Sequence, residues 1–214
     1  GKNYVLMPFA TQTGGYTYKV VAAYDSTQVF INGTLNTTIL KKGQWIYQNV
    51  TTATPVCIKT DKAAYVVQYM KNGGANCNGL SSTNGDAAIL IMPDVNQRLL
   101  KTIVGTATTS NMNKHWVNIL IDKTAKKAVK LNGTFLASTN FTDIACGNYS
   151  FAQIAVNNPS SNIVECDSGC VVVAYGVGPY ESYSYSAGAL FENVEYDFTV
   201  ARKGSCPSEP VTLT

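Results

Sequence analysis

Short apolar segments, separated by turn residues, follow one another along the chain. The segments are rich in Val, Ile, Tyr and Phe and end at Gly, Asn, Asp or Pro, which is typical of β-strands. No stretch keeps apolar residues at helical spacing for three turns, and residues 95–100 leave room for one helical turn at most. The pattern predicts strands at residues 16–24, 28–31, 64–69, 88–92, 116–121, 128–131, 151–156 and 171–175.

Several features occur twice in the same order, about a hundred residues apart. An apolar run and an Asp-x-Thr lead to the turn Ile31–Thr34 in one case and to Leu131–Thr134 in the other. A Val-rich segment ending in Tyr follows each turn. The offset grows only from 97 residues at the Asp-x-Thr to 106 at the Val-rich segment, as expected for a duplicated unit with loop insertions. Chance recurrence remains the alternative, because Asn-Gly turns and Val runs are common in β proteins.

The spacing of the predicted strands favours a sandwich or a jelly roll. Together with the repeat, it predicts an all-β fold with two related antiparallel β-sandwich or jelly-roll halves packed side by side. The polar stretch Thr106–Lys114 marks the boundary, so the halves are expected at residues 1–105 and 106–203. Residues 204–214 are predicted to form a linker or tail.

Charge and length exclude some functions. Only 14% of the residues are charged and the net charge is +3, so there is no basic stripe for nucleic acid. No apolar run reaches the roughly 18 residues of a membrane-spanning helix. At 214 residues the chain is long enough to bury a substantial core.

The six cysteines indicate disulfides, because a cytosolic protein rarely carries so many and they lack zinc-ligand spacing. Cys166 and Cys170 are expected to pair across a tight turn. Pairs Cys57–Cys77 and Cys146–Cys206 complete the predicted set, although nothing in the local sequence supports them.

Asn-x-Ser/Thr sequons are more frequent than the composition explains. With the cysteines, they predict an extracellular glycoprotein. A bacterial surface protein, in which the sequons would carry no glycan, is the alternative. The six sequons begin at Asn32, Asn36, Asn49, Asn132, Asn140 and Asn148.

Catalytic chemistry finds little support in the sequence. His115 is the only histidine and is expected at the end of a strand on the surface. The acidic residues that a glycosidase would need show no spacing that selects a pair. No catalytic residue, metal site or cofactor is therefore predicted. The acids considered are Asp61, Asp86, Asp94, Asp167, Glu181, Glu192 and Glu195.

Two longer segments stand out. Residues 84–97 contain Gly-Asp, a small residue, an apolar strand, Pro and then Gln, and residues 175–188 read Tyr-Gly-x-Gly followed by Glu-Ser-Tyr-x-Tyr-x-x-Gly. With matching segments at Ala22–Thr27, Leu40–Gln44 and Asp61–Tyr69, the chain closely resembles the amino-terminal domain of the IgG-Fc-binding protein family from about Tyr4 to Gly188. It departs from the family in residues 157–162, which lack a Gly-x-His, and in Gly85-Asp86-Ala87, where many relatives have Gly-Asp-Pro.

The resemblance implies a secreted adhesion or binding module without catalysis, part of a larger protein, that recognises a protein or glycoprotein. Tyr180, Tyr183 and Tyr185 lie in a segment rich in Gly, Ser and Pro and are the candidate ligand contacts. In an extended segment Tyr183 and Tyr185 share one face. The competing interpretation is that these rings cover the end of the sandwich.

Three alternatives remain open. A jelly-roll lectin would bind glycans through Asp and Asn side chains, with or without Ca²⁺. An enzyme on the same fold would need two acids in one cleft with a raised pKa. A structural spacer in a larger surface protein would need neither.

Overall fold

The computed structural model describes residues 1–10, 12, 14–71, 85–107, 112–156 and 161–190, and for 37–40 it describes the backbone alone. This part of the chain is built from β-strands, with two single-turn 3₁₀ helices at Lys123–Ala125 and Ser138–Asn140. No helix in it is long and apolar enough to cross a bilayer. The strands are β1 Asn3–Leu6, β2 Tyr16–Ala22, β3 Thr27–Ile31, β4 Thr34–Leu40, β5 Trp45–Val50, β6 Val56–Thr60, β7 Ala64–Met70, β8 Ala88–Ile91, β9 Leu99–Gly105, β10 Lys114–Asp122, β11 Val129–Leu131, β12 Thr134–Phe135, β13 Phe141–Asp143, β14 Tyr149–Ala155, β15 Ser161–Gly178 and β16 Glu181–Ser186.

The strands pair into two units. In unit 1, sheet A has the order β1-β6-β3-β4 and sheet B the order β5-β2-β7-β8. In unit 2, sheet C has the order β9-β15-β11-β12 and sheet D the order β13-β14-β10-β15-β16. Strand β15 is 18 residues long and belongs to both sheets of unit 2. All pairings are antiparallel, so the predicted all-β fold is confirmed.

The pairing order of unit 1 recurs in unit 2. Strands β1, β6, β3 and β4 correspond to β9, the first part of β15, β11 and β12, while β5, β2, β7 and β8 correspond to β14, β10, the rest of β15 and β16. Strand β9 lies before residue 106 in sequence but pairs with β15. The polar stretch after it connects β9 to β10 within unit 2, because β9 and β10 both pair with β15. The predicted tail, residues 204–214, lies outside the described residues.

The two Asn-Gly turns have the same geometry. Both central residues have positive φ, 51° and 82° at Asn32-Gly33 and 52° and 78° at Asn132-Gly133, as in a type I′ hairpin. The Oδ1 atom of Asn32 accepts the Cys57 N–H at 2.9 Å, and Oδ1 of Asn132 accepts the Ile163 N–H at 2.8 Å. In each turn the Asn side chain thus accepts a hydrogen bond from the backbone of the neighbouring strand. A common origin by duplication stays a prediction.

Sheet D is buried on both faces. Strand β10 alternates between two apolar clusters: Val117 and Ile119 face sheet C, whereas Leu120 belongs to the cluster that fills unit 1. The core of unit 1 therefore continues onto the outer face of sheet D. Such two-sided burial explains why β15 reads as an unbroken run of Val and Ala after Cys170.

A segment of unit 1 outside the strands lies on the outer face of sheet D. This segment, residues 7–10, is called the strap and follows β1 directly. The Pro8 carbonyl accepts hydrogen bonds from Asn118 Nδ2 at 2.8 Å and from Gln153 Nε2 at 2.6 Å. The Tyr175 hydroxyl accepts the Ala10 N–H at 2.9 Å and lies at the edge of the Phe9 ring. Polar side chains on the sheet thus satisfy the backbone of the strap.

Two disulfides lie within the described residues. Cys166–Cys170 is the predicted pair, and it closes the turn at which β15 passes from sheet C to sheet D. Cys57 pairs with Cys146, so the predicted pairs Cys57–Cys77 and Cys146–Cys206 are wrong. The Cα atoms of Cys57 and Cys146 come within 5.9 Å because unit 2 packs on unit 1, a contact that local spacing does not encode. Cys77 and Cys206 lie outside the described residues.

Candidate functional site

The tyrosines proposed as ligand contacts differ in exposure. Tyr183 and Tyr185 share one face of β16, as predicted, with stacked rings whose centroids are 6.1 Å apart, and both are half-buried. Tyr180 lies in the turn between β15 and β16 and is 69% exposed. Of the three rings, Tyr180 alone is freely available to a ligand.

The hydroxyls of Tyr183 and Tyr185 are bound within the protein. The Tyr183 hydroxyl lies 3.0 Å from His115 Nδ1, and the Tyr185 hydroxyl donates to the Gly105 carbonyl. Tyr183 also packs so closely on Gly176 that a Cβ there would lie 2.4 Å from the ring. Burial raises the pKa of Tyr183 to about 12, so its hydroxyl stays protonated at physiological pH. These contacts favour the interpretation that both rings cover the end of unit 2. Their role in ligand binding stays a prediction.

A larger exposed apolar surface lies on sheet B, away from its core. Here it is called the apolar face. Its most exposed members are Trp45 at 52%, Tyr47 at 50%, Tyr65 at 64%, Ile89 at 63% and Ile91 at 64%. Half-buried side chains on the central strands complete it, namely Lys19, Val21, Val67 and Tyr69. Monomeric proteins rarely expose a contiguous patch of this kind unless it binds something.

The strand register places these side chains in rows across the sheet. Tyr47, Lys19, Val67 and Ile91 form the central row. Trp45, Val21 and Tyr65 form a row on one side, and Tyr69 with Ile89 lies on the other. This surface is not predicted above, although the sequence carries a signal for it. Strand β7, Ala-Tyr-Val-Val-Gln-Tyr-Met, is apolar at successive positions, which is typical of a strand covered on both faces.

Lys19 is the one charged residue in the apolar face. Its Nζ lies 4.2 Å from the centroid of the Trp45 ring and 6.0 Å from that of Tyr69. None of the ion pairs found among the described residues includes Lys19. The face therefore presents one cation held among aromatic rings.

A groove extends the apolar face past Tyr65 and Ile91 toward the end of β16. Its volume is about 650 Å³. Besides those two side chains, Tyr24, Met92, Ser186 and Gly188 line it. Face and groove together form a continuous, mostly apolar surface.

The predicted glycosylation sites lie mainly in exposed positions. Five of the six asparagines are exposed and Asn36 is half-buried. Asn49 lies on the edge strand β5 next to the apolar face, in register with Thr17. Glycan occupancy stays a prediction. The exposed five are Asn32, Asn49, Asn132, Asn140 and Asn148.

Two of the residues considered for catalysis are buried. His115 is 7% exposed, not at the surface as expected, and burial lowers its pKa. Asp94 is also buried and accepts the N–H groups of Lys2, Asn3 and Asn96. Within the described ranges, no three His, Cys, Asp or Glu side chains come together as metal ligands. Glu192 and Glu195 lie outside those ranges.

A family model described as IgGFc binding protein matches residues 1–176, most of the chain. The chain belongs to the IgGFc-binding protein family. The resemblance inferred from the sequence is thereby confirmed over residues 1–176. No curated protein matches this member of the family in sequence.

Solved structures show only weak similarity to this IgGFc-binding family member. A Bifidobacterium dentium β-glucuronidase complexed with coumarin-3-O-glucuronide has 9% identity and a TM-score of 0.22, over 87% of this chain and 38% of the enzyme. A glycosyl hydrolase family 2 member from Bacteroides cellulosilyticus has 12% identity and a TM-score of 0.23, over 87% and 28%. An anti-sigma factor domain-containing protein has 8% identity and a TM-score of 0.21, over 89% and 84%. The chain spans well under half of either glycosidase, and similarity at this level carries no functional argument.

Proposed function

We propose that this protein is an extracellular module that binds a protein or glycoprotein ligand through the apolar face and performs no catalysis. Membership of the IgGFc-binding family supports a protein ligand. The two disulfides support an oxidising, extracellular compartment. The exposed asparagines would then carry glycans, and the module would serve adhesion as part of a larger surface or secreted protein.

The observation that carries the proposal is the exposure of Trp45, Tyr47, Tyr65, Ile89 and Ile91 on one sheet face. Five large apolar side chains that are at least half exposed offer on the order of 500 Å² of apolar area, the upper end of what monomers show. Standard protein interfaces bury about 800 Å² per partner. The apolar face and the adjoining groove together offer an area of this order. Trp and Tyr are also the residues that most often dominate binding energy at such interfaces.

The test is binding of the oxidised, glycosylated protein to an array of antibody Fc, mucin glycoproteins and free glycans, with and without a chelator. The double variant Tyr65→Ser/Ile91→Ser removes two exposed side chains of the apolar face. We expect it to bind the protein ligand at least tenfold more weakly, because each side chain loses a buried apolar contact.

The matched control is Leu100→Ser/Ile103→Ser, which removes two equally exposed side chains from β9, outside the apolar face. The control is expected to bind as the unchanged protein does. Competition by a free sugar or loss of binding with chelator would point to the lectin. A folded protein that binds nothing would point to the structural spacer.

A further inference from the structure

We propose that the apolar face receives an extended segment of the partner protein that presents a carboxylate to Lys19. The inference rests on the proposed function and names the chemistry of the ligand for that site. Sheets B and D occupy equivalent places in the two units. Sheet B corresponds in pairing order to the part of sheet D formed by β14, β10, β15 and β16.

Lys19 is the middle residue of β2, and Asn118 is the middle residue of β10. Lys19 on β2 lies between Tyr47 and Val67, and Asn118 on β10 lies between Gln153 and Val173. Lys19 and Asn118 thus occupy the same central place on the outward face of their sheets.

The outer face of sheet D shows how such a surface is covered in this protein. The strap lies on it, and the central Asn118 donates a hydrogen bond to the Pro8 carbonyl. The ring of Phe9, which belongs to the strap, packs edge-on against the ring of Tyr175 on sheet D, with centroids 5.0 Å apart. The apolar face also has a donor at its centre, with the rings of Trp45 and Tyr69 beside it, but its side chains are exposed.

The donor in the apolar face, Lys19, carries a positive charge, and this charge restricts the chemistry of the partner. A partner that covers Lys19 removes its ammonium group from water, and only an opposing charge with good hydrogen bonding offsets that cost. A carboxylate between apolar side chains meets this requirement. A second copy of the chain fits poorly, because a twofold axis through the centre of the face would bring two Lys19 residues together.

Dimensions also suit an extended segment. The four strands of sheet B span about 14 Å, and six residues of extended chain cover about 20 Å. A segment that crosses the face therefore continues into the groove beside Tyr65 and Ile91, where it finds further apolar contacts.

The test uses the full-length protein and a displayed library of random twelve-residue peptides, selected in parallel on the unchanged protein and on Lys19→Glu. We expect the unchanged protein to enrich peptides in which apolar residues alternate with Asp or Glu. Selection on Lys19→Glu is expected to replace those acids by Lys or Arg.

One enriched peptide is then synthesised with its acid and with Lys in its place. The acidic form should bind the unchanged protein at least tenfold more tightly than Lys19→Glu, and the lysine form should show the opposite preference. Lys59→Glu, which makes the same charge change on exposed Lys59 of sheet A, is the control and should leave both affinities unchanged.

Several results would overturn the inference. Enrichment of the same peptides on the unchanged protein and on Lys19→Glu would show that Lys19 takes no part in recognition. Self-association that Tyr65→Ser/Ile91→Ser abolishes would assign the face to a second copy. Shielding of Trp45 from acrylamide in the free protein would show that the chain itself already covers the face.

Loss of a protein ligand with Tyr65→Ser/Ile91→Ser but not with Lys19→Glu would refute this inference and leave the proposed function standing. A ligand unaffected by either variant would refute both.

Discussion

The hydroxyl of Tyr183 and the ring of His115 are hydrogen-bonded to each other, with 3.0 Å between Oη and Nδ1. His115 is 7% exposed, and burial keeps its pKa below the ordinary value, so the neutral ring hydrogen-bonds to the phenol. A residue that the sequence suggests as a ligand contact thus completes the hydrogen bonding of the only histidine. Aromatic residues in Gly- and Ser-rich segments serve either as ligand contacts or as packing within the protein, and the burial of the side chain distinguishes these two roles.

Replacing Tyr183 by Phe should destabilise the protein by about 1 to 2 kcal/mol, because it leaves a buried imidazole nitrogen without its partner. Tyr180→Phe is the matched control and should change the unfolding free energy by less than about 0.5 kcal/mol, since its ring is exposed. Urea unfolding followed by tryptophan fluorescence measures both. Equal stability of the two variants would show that the Tyr183 hydroxyl has no structural role.

At the scale of elements, the two hairpins are the clearest case of sequence dictating conformation. Gly33 and Gly133 have φ values of 82° and 78°, and a Cβ at either position would meet no atom within 4 Å. Any cost of replacing them is therefore a cost of backbone conformation, not of steric contact.

Gly33→Ala and Gly133→Ala should each lower the unfolding free energy by about 1 to 2 kcal/mol, because alanine is strained in the left-handed region. Gly105→Ala provides the control: its φ lies outside that region, and its Cβ would be 3.9 Å from the nearest atom. It is expected to be neutral within about 0.5 kcal/mol. Chemical denaturation of the three variants side by side measures these free energies of unfolding. A decrease in Gly105→Ala as large as in the other two variants would contradict the explanation by backbone strain.

Strands with one apolar face, and the Asn-Gly hairpins, could be read from the sequence because their signals are local. Strand β5 is not among the strands predicted from the sequence, although Trp45, Ile46 and Tyr47 are apolar in succession, as residues of β7 are. The same feature places Trp45 and Tyr47 in the apolar face. Local pattern does not reveal which of two apolar faces stays exposed, because that depends on where unit 2 packs.

The whole molecule is held together across its two units. The disulfide Cys57–Cys146 joins residues 89 apart in sequence, and one apolar cluster runs from Tyr4 in unit 1 to Val177 in unit 2. Cys166–Cys170, by contrast, closes a loop of only four residues' separation within β15. Because the two disulfides close loops of such different length, they should contribute differently to the free energy of unfolding.

Chain-entropy estimates give about 4 to 5 kcal/mol for the long loop and about 2 kcal/mol for the short one. Cys57→Ala/Cys146→Ala should therefore lower the unfolding free energy by roughly twice as much as Cys166→Ala/Cys170→Ala. Guanidinium denaturation of both double variants compares them. We expect a single transition in each case, because the shared core couples the units; two separate transitions would show that the units fold independently.

The strap has a consequence for biosynthesis. Ala10 hydrogen-bonds to Tyr175, 165 residues later in the chain. At translation rates of about 5 to 20 residues per second, roughly 8 to 33 seconds pass between the synthesis of the two partners. Throughout that interval Met7 and Phe9, both buried in the finished protein, have no sheet D to lie on. The amino-terminal segment of the nascent chain therefore exposes these two apolar side chains until β15 has been synthesised, and such exposed surface favours aggregation.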